Sequence, residues 1–364
     1  MVTTLAVMIL FSCTVPTTSV PSEFTLNQSF SGNWAPRDLA LGDLDGDGDL
    51  DAIVACRQGD SFLLWNNGSG EFSPPDESHA FGECWSVAAV EMTGDGVIDL
   101  IFATFTGDIR LWRNDGTGNF VLLPALATDE LHSIAFATGD LDGDGDNDLF
   151  LGHSDDTERI WFNNSDGSFI GSSQNLGDDS ALHISLGDLD GDGDLDSVLG
   201  NPPGKPNRVY LNDGSGHFTL HDQALGETTS TLAIGIEDFD RDGDRDIFLG
   251  YHDGSDTVWL NDGTASFTPT NQLLNEGWSY GVECGDMDDD GDCDLVIAGG
   301  NVPDAIWFND GYAHFAIGSF PFAGSQGAAV VLGDIDGDGD LDILLGHDPG
   351  RSNTGTLYVW RNNR

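Results

Sequence analysis

An acidic nonapeptide, Asp-x-Asp-x-Asp-Gly-x-x-Asp, returns seven times along this chain, and no other feature limits the fold as tightly. Its copies begin at Asp43, Glu91, Asp140, Asp188, Asp238, Asp286 and Asp334, at intervals of 48 to 50 residues. A near-constant period of this length marks one supersecondary unit stacked or arranged radially. Most copies also crowd at least four carboxylates into nine residues. A folded chain tolerates that density only where a cation neutralises it.

The residues between the loops repeat in a fixed order. A first strand of period two leads into each loop, as in Leu39 and Leu41, Val87 and Ala89, Ile184 and Leu186, or Val330 and Leu332. Small residues such as Ala40, Ala88, Ala137, Ser185 and Gly235 lie between them or at the matching position, which fits one face packed closely on a neighbour. A second strand follows the loop without alternation (Ala52 to Val54, Leu149 to Leu151, Ile247 to Leu249, Ile343 to Leu345) and reads as buried on both faces. Gly152, Gly200, Gly250 and Gly346 read as its terminators. A third strand ends at an aromatic residue and a tight turn, as in Trp112-Arg113-Asn114-Asp115-Gly116, where Asn-Asp-Gly supplies positive φ. A short fourth strand opens on Phe72, Phe120, Phe169, Phe218, Phe267 or Phe315. The predicted fold is therefore all-β, a seven-bladed β-propeller of four-stranded antiparallel blades. The chain stops at the third-to-fourth-strand turn of blade 7, and Ser22-Glu23-Phe24-Thr25 matches Gly70-Glu71-Phe72-Ser73. The N-terminal strand is thus expected to complete the last blade and close the ring. Residues 22–364 read as one domain.

In each loop the side chains at positions 1, 3 and 5 can converge if the backbone turns at the glycine in sixth place. The carbonyl of position 7 and the carboxylate of position 9 then complete an oxygen cage. Hard oxygen donors in this number suit Ca²⁺ better than Mg²⁺, and the absence of His and Cys from ligand positions argues against Zn²⁺. The predicted metal residues of the first three copies are Asp43, Asp45, Asp47, Asp49 and Asp51; Glu91, Thr93, Asp95, Val97 and Asp99; and Asp140, Asp142, Asp144, Asp146 and Asp148. The fourth and fifth contribute Asp188, Asp190, Asp192, Asp194 and Asp196, then Asp238, Asp240, Asp242, Asp244 and Asp246. The last two contribute Asp286, Asp288, Asp290, Asp292 and Asp294, then Asp334, Asp336, Asp338, Asp340 and Asp342. Up to seven calcium ions are expected, the weakest at Glu91 to Asp99, where Thr93 replaces a carboxylate. An EF-hand would need Glu at position 12, yet that position holds Val54, Phe102, Leu151, Leu199, Leu249, Ile297 or Leu345. One such loop would be explained as a solvated turn; seven in phase would not.

The repeats resemble the FG-GAP and VCBS type found in integrin α-subunit headpieces and in many secreted bacterial proteins. The stretch from Gly42 to Asp51 carries the resemblance, and the literal Phe-Gly and Gly-Ala-Pro signatures of integrins are absent from the repeats, which favours the VCBS-like branch. The resemblance implies a seven-bladed propeller with calcium in its hairpin loops, serving adhesion or the binding of proteins or glycans.

Charge narrows the partners. The formal net charge is −51, and seven divalent ions would offset only about 14 of those charges. Nucleic acid and anionic membranes would be repelled. The 39% hydrophobic content, with nine Trp and 21 Phe, separates the chain from disordered acidic tails. The apolar run Leu5 to Phe11 is too short to span a bilayer and reads as the core of a secretory signal over residues 1–21, so the protein is expected outside the cell, as a monomer without membrane insertion. Leu10-Phe11-Ser12-Cys13 also resembles a lipoprotein cleavage site, which makes a lipid anchor on Cys13 the alternative. In an exported chain, sequence proximity pairs Cys56 with Cys84 and Cys284 with Cys293 as disulfides; buried free thiols are the alternative.

The aromatics that fall out of phase point to a partner site on the rim opposite the loops. Trp34, Phe81, Trp85, Trp278, Tyr280, Phe320 and Phe322 lie in the connections entering blades 1, 2, 6 and 7, whereas Asp129, Glu130, Asp178, Asp179 and Glu227 lie in those entering blades 3, 4 and 5. Trp34, Trp85, Trp278 and Tyr280 are the predicted partner-binding residues for an extracellular protein or glycan. The in-phase Trp112, Trp161, Tyr210, Trp259, Trp307 and Trp360 read as blade packing, and His153 and His347, which share one blade position, as structural. No zinc-protease, nucleophile-elbow or phosphate-loop motif occurs, so no catalytic residue is expected. A polysaccharide lyase or hydrolase on the same fold is the competing class.

Overall fold

The computed structural model describes residues 24–364 except 125, 127–132, 154–156, 178–179, 227–228, 319–325, 349 and 351–353. The expected signal segment with Cys13, the acidic connection residues and Phe320 and Phe322 lie outside the described residues. Every regular element among the described residues is a β-strand, in seven antiparallel sheets. Blade 2 is typical: Cys84–Val90, Asp99–Thr104, Ile109–Asn114 and Phe120–Leu122 pair in that order, from the axis outward. The inner strands Ala35–Gly42, Cys84–Val90, Ser133–Gly139, His183–Gly187, Thr231–Glu237, Ser279–Gly285 and Gly327–Gly333 each pack on the next, and the last packs on the first. Blade 7 consists of Gly327–Gly333, Asp342–His347, Gly355–Arg361 and, as its outermost strand, Thr25–Gly32. The N-terminal strand therefore closes the ring, with Leu26 opposite Trp360 and Phe30 opposite Leu357.

Blade 1 departs from the four-strand expectation. It has three paired strands, Ala35–Gly42, Asp51–Gln58 and Phe62–Leu64, and its outer position is held by the isolated bridges Asn66↔Phe72 and Leu63↔Asp76. Pro74 and Pro75 fall between those bridges and lack the N–H groups a ladder requires.

The core lies between blades rather than inside a single sheet. Seven apolar clusters form, each shared by two adjacent blades, including the pair formed by blades 7 and 1. The second strands explain their lack of alternation here. Ala52, Val54 and Cys56 face blade 7 while Ile53 and Ala55 face blade 2, and all five are fully buried. Burying a large aliphatic side chain contributes about 1.5–3 kcal/mol, so the interfaces dominate the stability. The glycines of these strands are packing residues rather than terminators. Gly152, Gly250 and Gly346 lie inside Asp148–His153, Asp246–Tyr251 and Asp342–His347, and only Gly200 ends its strand. A Cβ at Gly346 would lie 2.9 Å from Pro36 Cβ, and one at Gly250 would lie 3.1 Å from Ser279 Cβ. The next blade approaches too closely for a side chain.

Two expectations for single residues fail. Cys56, Cys84, Cys284 and Cys293 are free thiols. Cys56 Sγ points at Val54 O (4.0 Å) and Cys84 Sγ at Gly82 O (3.6 Å), each thiol directed to a carbonyl. Trp34 and Phe81, expected on the rim, are buried. Trp34 is 5% exposed with its ring centroid 5.0 Å from that of Phe62, and Phe81 sits in the core between blades 1 and 2.

Candidate functional site

Each acidic loop is a hairpin tip whose first residues alternate in role. The apolar residue at position 2 turns inward. Leu44, Met92, Leu141, Leu189, Phe239, Met287 and Ile335 are buried in the clusters shared with the following blade. That anchor fixes the carboxylates on either side of it. The position 1 carboxylate holds the turn: Asp43 Oδ1 accepts from Gly46 N at 2.8 Å and Oδ2 from Gly48 N at 3.1 Å, and the loops at Asp140, Asp188 and Asp334 repeat both bonds. Gly48 has φ of 94°, which supplies the sharp reversal expected of sixth place.

Carboxylates at positions 1, 3 and 9 converge. Oxygens of Asp43, Asp45 and Asp51 lie within 4.8 Å of one another, as do those of Asp140, Asp142 and Asp148, of Asp188, Asp190 and Asp196, and of Asp238, Asp240 and Asp246. In the sixth loop the converging set is Asp286, Asp288 and Asp290, positions 1, 3 and 5. Position 5 is exposed at Asp47 as it is at Asp290, and in both loops its carboxylate acts on the position 3 Asp. The position 7 carboxylates of Asp49, Asp194, Asp244 and Asp292 lie instead against Gly68, Gly214, Gly263 and Gly311 of the neighbouring turn. In the second loop Glu91 Oε1 takes the N–H groups of Thr93 and Gly94, and Thr93 Oγ1 donates to Asp99 Oδ2 at 3.1 Å, so that hydroxyl is engaged inside the loop.

These oxygens fit a hard cation. Buried Oδ1 atoms of Asp142, Asp238, Asp288 and Asp336 meet no hydrogen-bond donor. Burial, and next the charge of the position 5 carboxylate, raise the pKa of Asp45, Asp142, Asp190, Asp240, Asp288 and Asp336. Burial pushes the position 9 carboxyls further, to about 6 at Asp51 and Asp148, about 7 at Asp196, Asp246 and Asp342, and about 8 at Asp294. A buried, oxygen-only cage whose carboxylates are costly to ionise unpaired, and some of whose oxygens meet no donor, can hold a divalent ion. The sixth loop also draws on cations of its neighbours: Arg241 donates to Asp290 O at 3.1 Å and pairs with Asp292, and Arg364 donates to Asp288 O.

Position 9 carries a second function that the sequence did not disclose. Asp51 Oδ2 accepts from Leu44 N at 3.1 Å, and Oδ1 from Asn66 N at 2.8 Å. The Asn66 side chain in turn donates to Ile335 O of the preceding blade at 2.7 Å. Asn114, Asn163, Asn212, Asn261, Asn309 and Asn362 make the same backbone bond to their own position 9 Asp and the same side-chain bond to the position 2 carbonyl of the preceding loop. Every acidic loop is thereby clasped to the next blade. The signal was present as an asparagine recurring in phase, but such an asparagine also serves a tight turn on its own.

The opposite rim holds a second candidate site. There the inner strands begin, and an axial channel opens between them. Deep in it, Asp38 accepts from Leu39 N, Val87 N and Ser86 Oγ at 2.8–2.9 Å. Burial raises Glu283 to about 8 and lowers His183 to about 4. At the mouth is a cavity of about 460 Å³ walled by Trp85, Trp278 and Tyr280, with Gly300, Gly327 and Ala328 beside them. Three of the four predicted partner residues thus share one cavity, and Trp34 does not join them. Trp85 stacks on Phe105 and Trp278 on His252, with centroids 5.1 and 4.4 Å apart.

Fold and loops together define a class: a closed repeat propeller with acidic, cation-competent hairpins on one rim and a channel mouth on the other. The chain belongs to the FG-GAP-like repeat family, whose profile matches residues 43–102, 91–151, 140–199, 188–249, 238–297 and 286–345. Six matches accompany seven blades because each runs from one acidic loop to the second strand of the following blade. No curated protein matches the chain. Among solved structures it is similar to BBS1N, determined in complex with ARL6DN in crystals soaked with lead, with a TM-score of 0.64 and 13% identity over 95% of this chain and 98% of that one. The mercury-soaked form of the same complex gives 0.63 at the same identity and coverage. At that identity the likeness concerns the fold.

Proposed function

We propose that this protein is a secreted, monomeric recognition module without catalytic activity, which binds an extracellular protein or glycan at the mouth of its channel and is held rigid by calcium in its hairpin loops. The observation that carries the reading is the division of labour between the rims. Converging carboxylates occupy one, and half-exposed aromatics with a cavity of small-molecule size occupy the other. Calcium suits the loops because it accepts many oxygens without demanding a strict octahedron. BBS1N, a propeller solved with a protein partner, supports protein recognition by this architecture. The test is a binding screen of the calcium-loaded protein against extracellular proteins and glycans, run beside a polysaccharide cleavage assay. Trp278→Ala with Trp85→Ala should abolish the binding found while leaving the calcium-dependent melting temperature in place. Cleaved polysaccharide, or binding indifferent to both tryptophans, would overturn the reading.

A further inference from the structure

The mouth cavity contains a cation whose hydrogen bonds are unclaimed among the described residues. Arg37 Cζ lies 5.1 Å from the ring centroid of Tyr280 and 6.0 Å from that of Trp85, held between two aromatic side chains. No described residue accepts a hydrogen bond from its guanidinium. The second arginine at the mouth is engaged: Arg57 forms a two-pronged pair with Asp348, Nη2 to Oδ1 at 3.0 Å, and reaches Gly350 O at 3.3 Å. The nearest acid in sequence, Asp38, is directed to Ser86 and to the backbone of Leu39 and Val87. Arg37 therefore presents a planar fork of donors, positioned by two rings, to a cavity whose other walls are mainly apolar.

Resting on the recognition reading above, we infer that this cavity takes the free C-terminal carboxylate of a protein partner, with an apolar last residue beside Gly300, Gly327 and Ala328. A guanidinium fork matches a carboxylate in two parallel hydrogen bonds, and the pairing strengthens where water is excluded. Two features select a chain terminus over other carboxylates. The formal charge of −51 repels polymers carrying many acids, so one carboxylate on an otherwise neutral or basic ligand is favoured over a polyuronate or an acidic peptide. Of the polar lining, Arg57 and Asp348 are engaged with each other, which leaves Gln326 and the Tyr280 hydroxyl for sugar hydroxyls, while the larger apolar share of the wall accommodates an aliphatic or aromatic side chain.

The experiment uses the full chain in excess Ca²⁺ with fluorescent hexapeptides, Gly-Ser-Gly-Ser-Gly followed by Leu, Phe or Trp, each as free acid and as C-terminal amide. A neutral oligosaccharide set and an oligogalacturonate set are run in parallel. The free acids of at least one peptide should bind tenfold or more tightly than their amides. Arg37→Gln should erase that preference, and Arg37→Lys should retain only part of it, since it keeps the charge without the fork. The preference in the parent protein stands as evidence even if a variant folds poorly. Equal binding of acid and amide, no peptide binding up to 1 mM, or binding of oligosaccharides alone overturns the carboxylate assignment. A ligand lost with Trp278→Ala but not with Arg37→Gln would leave the recognition reading intact while removing this one.

Discussion

At the scale of single residues, the acids of this protein differ by what each oxygen meets. Position 9 carboxylates receive two backbone N–H groups, whereas buried position 3 oxygens such as Asp142 Oδ1 receive none. Asp256, on the opposite rim, is a third kind. Its Oδ1 accepts from Tyr251 N at 2.9 Å and its Oδ2 from Ser279 Oγ at 2.6 Å, and burial raises it to about 7. The folded form then keeps a proton that the unfolded chain releases near its ordinary value of about 3.9. The stability this group contributes is complete below about pH 4 and is lost as pH rises toward about 7. Asp256→Asn keeps the amide oxygen as acceptor for Tyr251 N, replaces the second contact by an N–H donated to Ser279 Oγ, and removes the titration. In urea unfolding across pH 4–8, the variant should gain on the parent by about 1–3 kcal/mol as pH rises through that window. Parallel pH profiles for the two proteins would show that the buried carboxyl is not held neutral.

At the scale of elements, the asparagine clasp ties the acidic loops to blade packing. Asn212 Nδ2 donates to Leu141 O at 2.8 Å and to Leu195 O at 3.3 Å, both carbonyls of acidic loops, one in the preceding blade and one in its own. Asn212→Ala leaves both acceptors without that donor and should cost about 2–4 kcal/mol in chemical denaturation. Asn212→Asp should cost at least as much, because it places an acceptor against two carbonyls. A loss below about 0.5 kcal/mol in both variants would mean that water takes over the clasp. This element also shows where sequence reading ended. Strand order, loop position and ring closure were legible because each leaves a periodic trace, and the convergence of positions 1 and 3 follows from alternation along an extended chain. The clasp joins Asn212 to a carbonyl 71 residues away, a relation that no local pattern encodes. Trp34 and Phe81 broke the repeat and so read as surface residues. Each instead fills an inter-blade cluster, because a ring of near-identical blades still has local voids that a single large side chain can fill. Arg37 drew no notice in sequence, since its meaning depends on Trp85 and Tyr280 arriving from two other blades.

At the scale of the whole molecule, seven interfaces close on themselves, and no blade has a core of its own. Charge repulsion in any loop is felt by two blades through the shared position 2 side chain and the clasp. Chelator treatment with verified metal removal should therefore lower the melting temperature by 10 °C or more, and Ca²⁺ should restore it more effectively than Mg²⁺; an unchanged melting curve would mean the loops carry no structural ion. The ring itself depends on the strand Thr25–Gly32, which pairs with Gly355–Arg361 and binds blade 7 to the beginning of the chain. The same strand reaches blade 1, where Gln28 Nε2 donates to Phe72 O at 3.1 Å and Phe72 N donates to Gln28 Oε1 at 2.7 Å. Gln174, Gln223 and Gln272 repeat this link between later blades. Removing residues 24–32 would leave Gly355–Arg361 as an open edge with unpaired backbone groups and would break the link into blade 1. Exposed edges of this kind pair with other chains, so the shortened protein should elute from size exclusion as oligomer or aggregate rather than monomer. A peptide spanning residues 24–32, supplied in trans, should restore part of the monomer by adding back the missing strand. A shortened protein that stays monomeric and melts with the parent would show that the interface between the inner strands Gly327–Gly333 and Ala35–Gly42 closes the ring unaided.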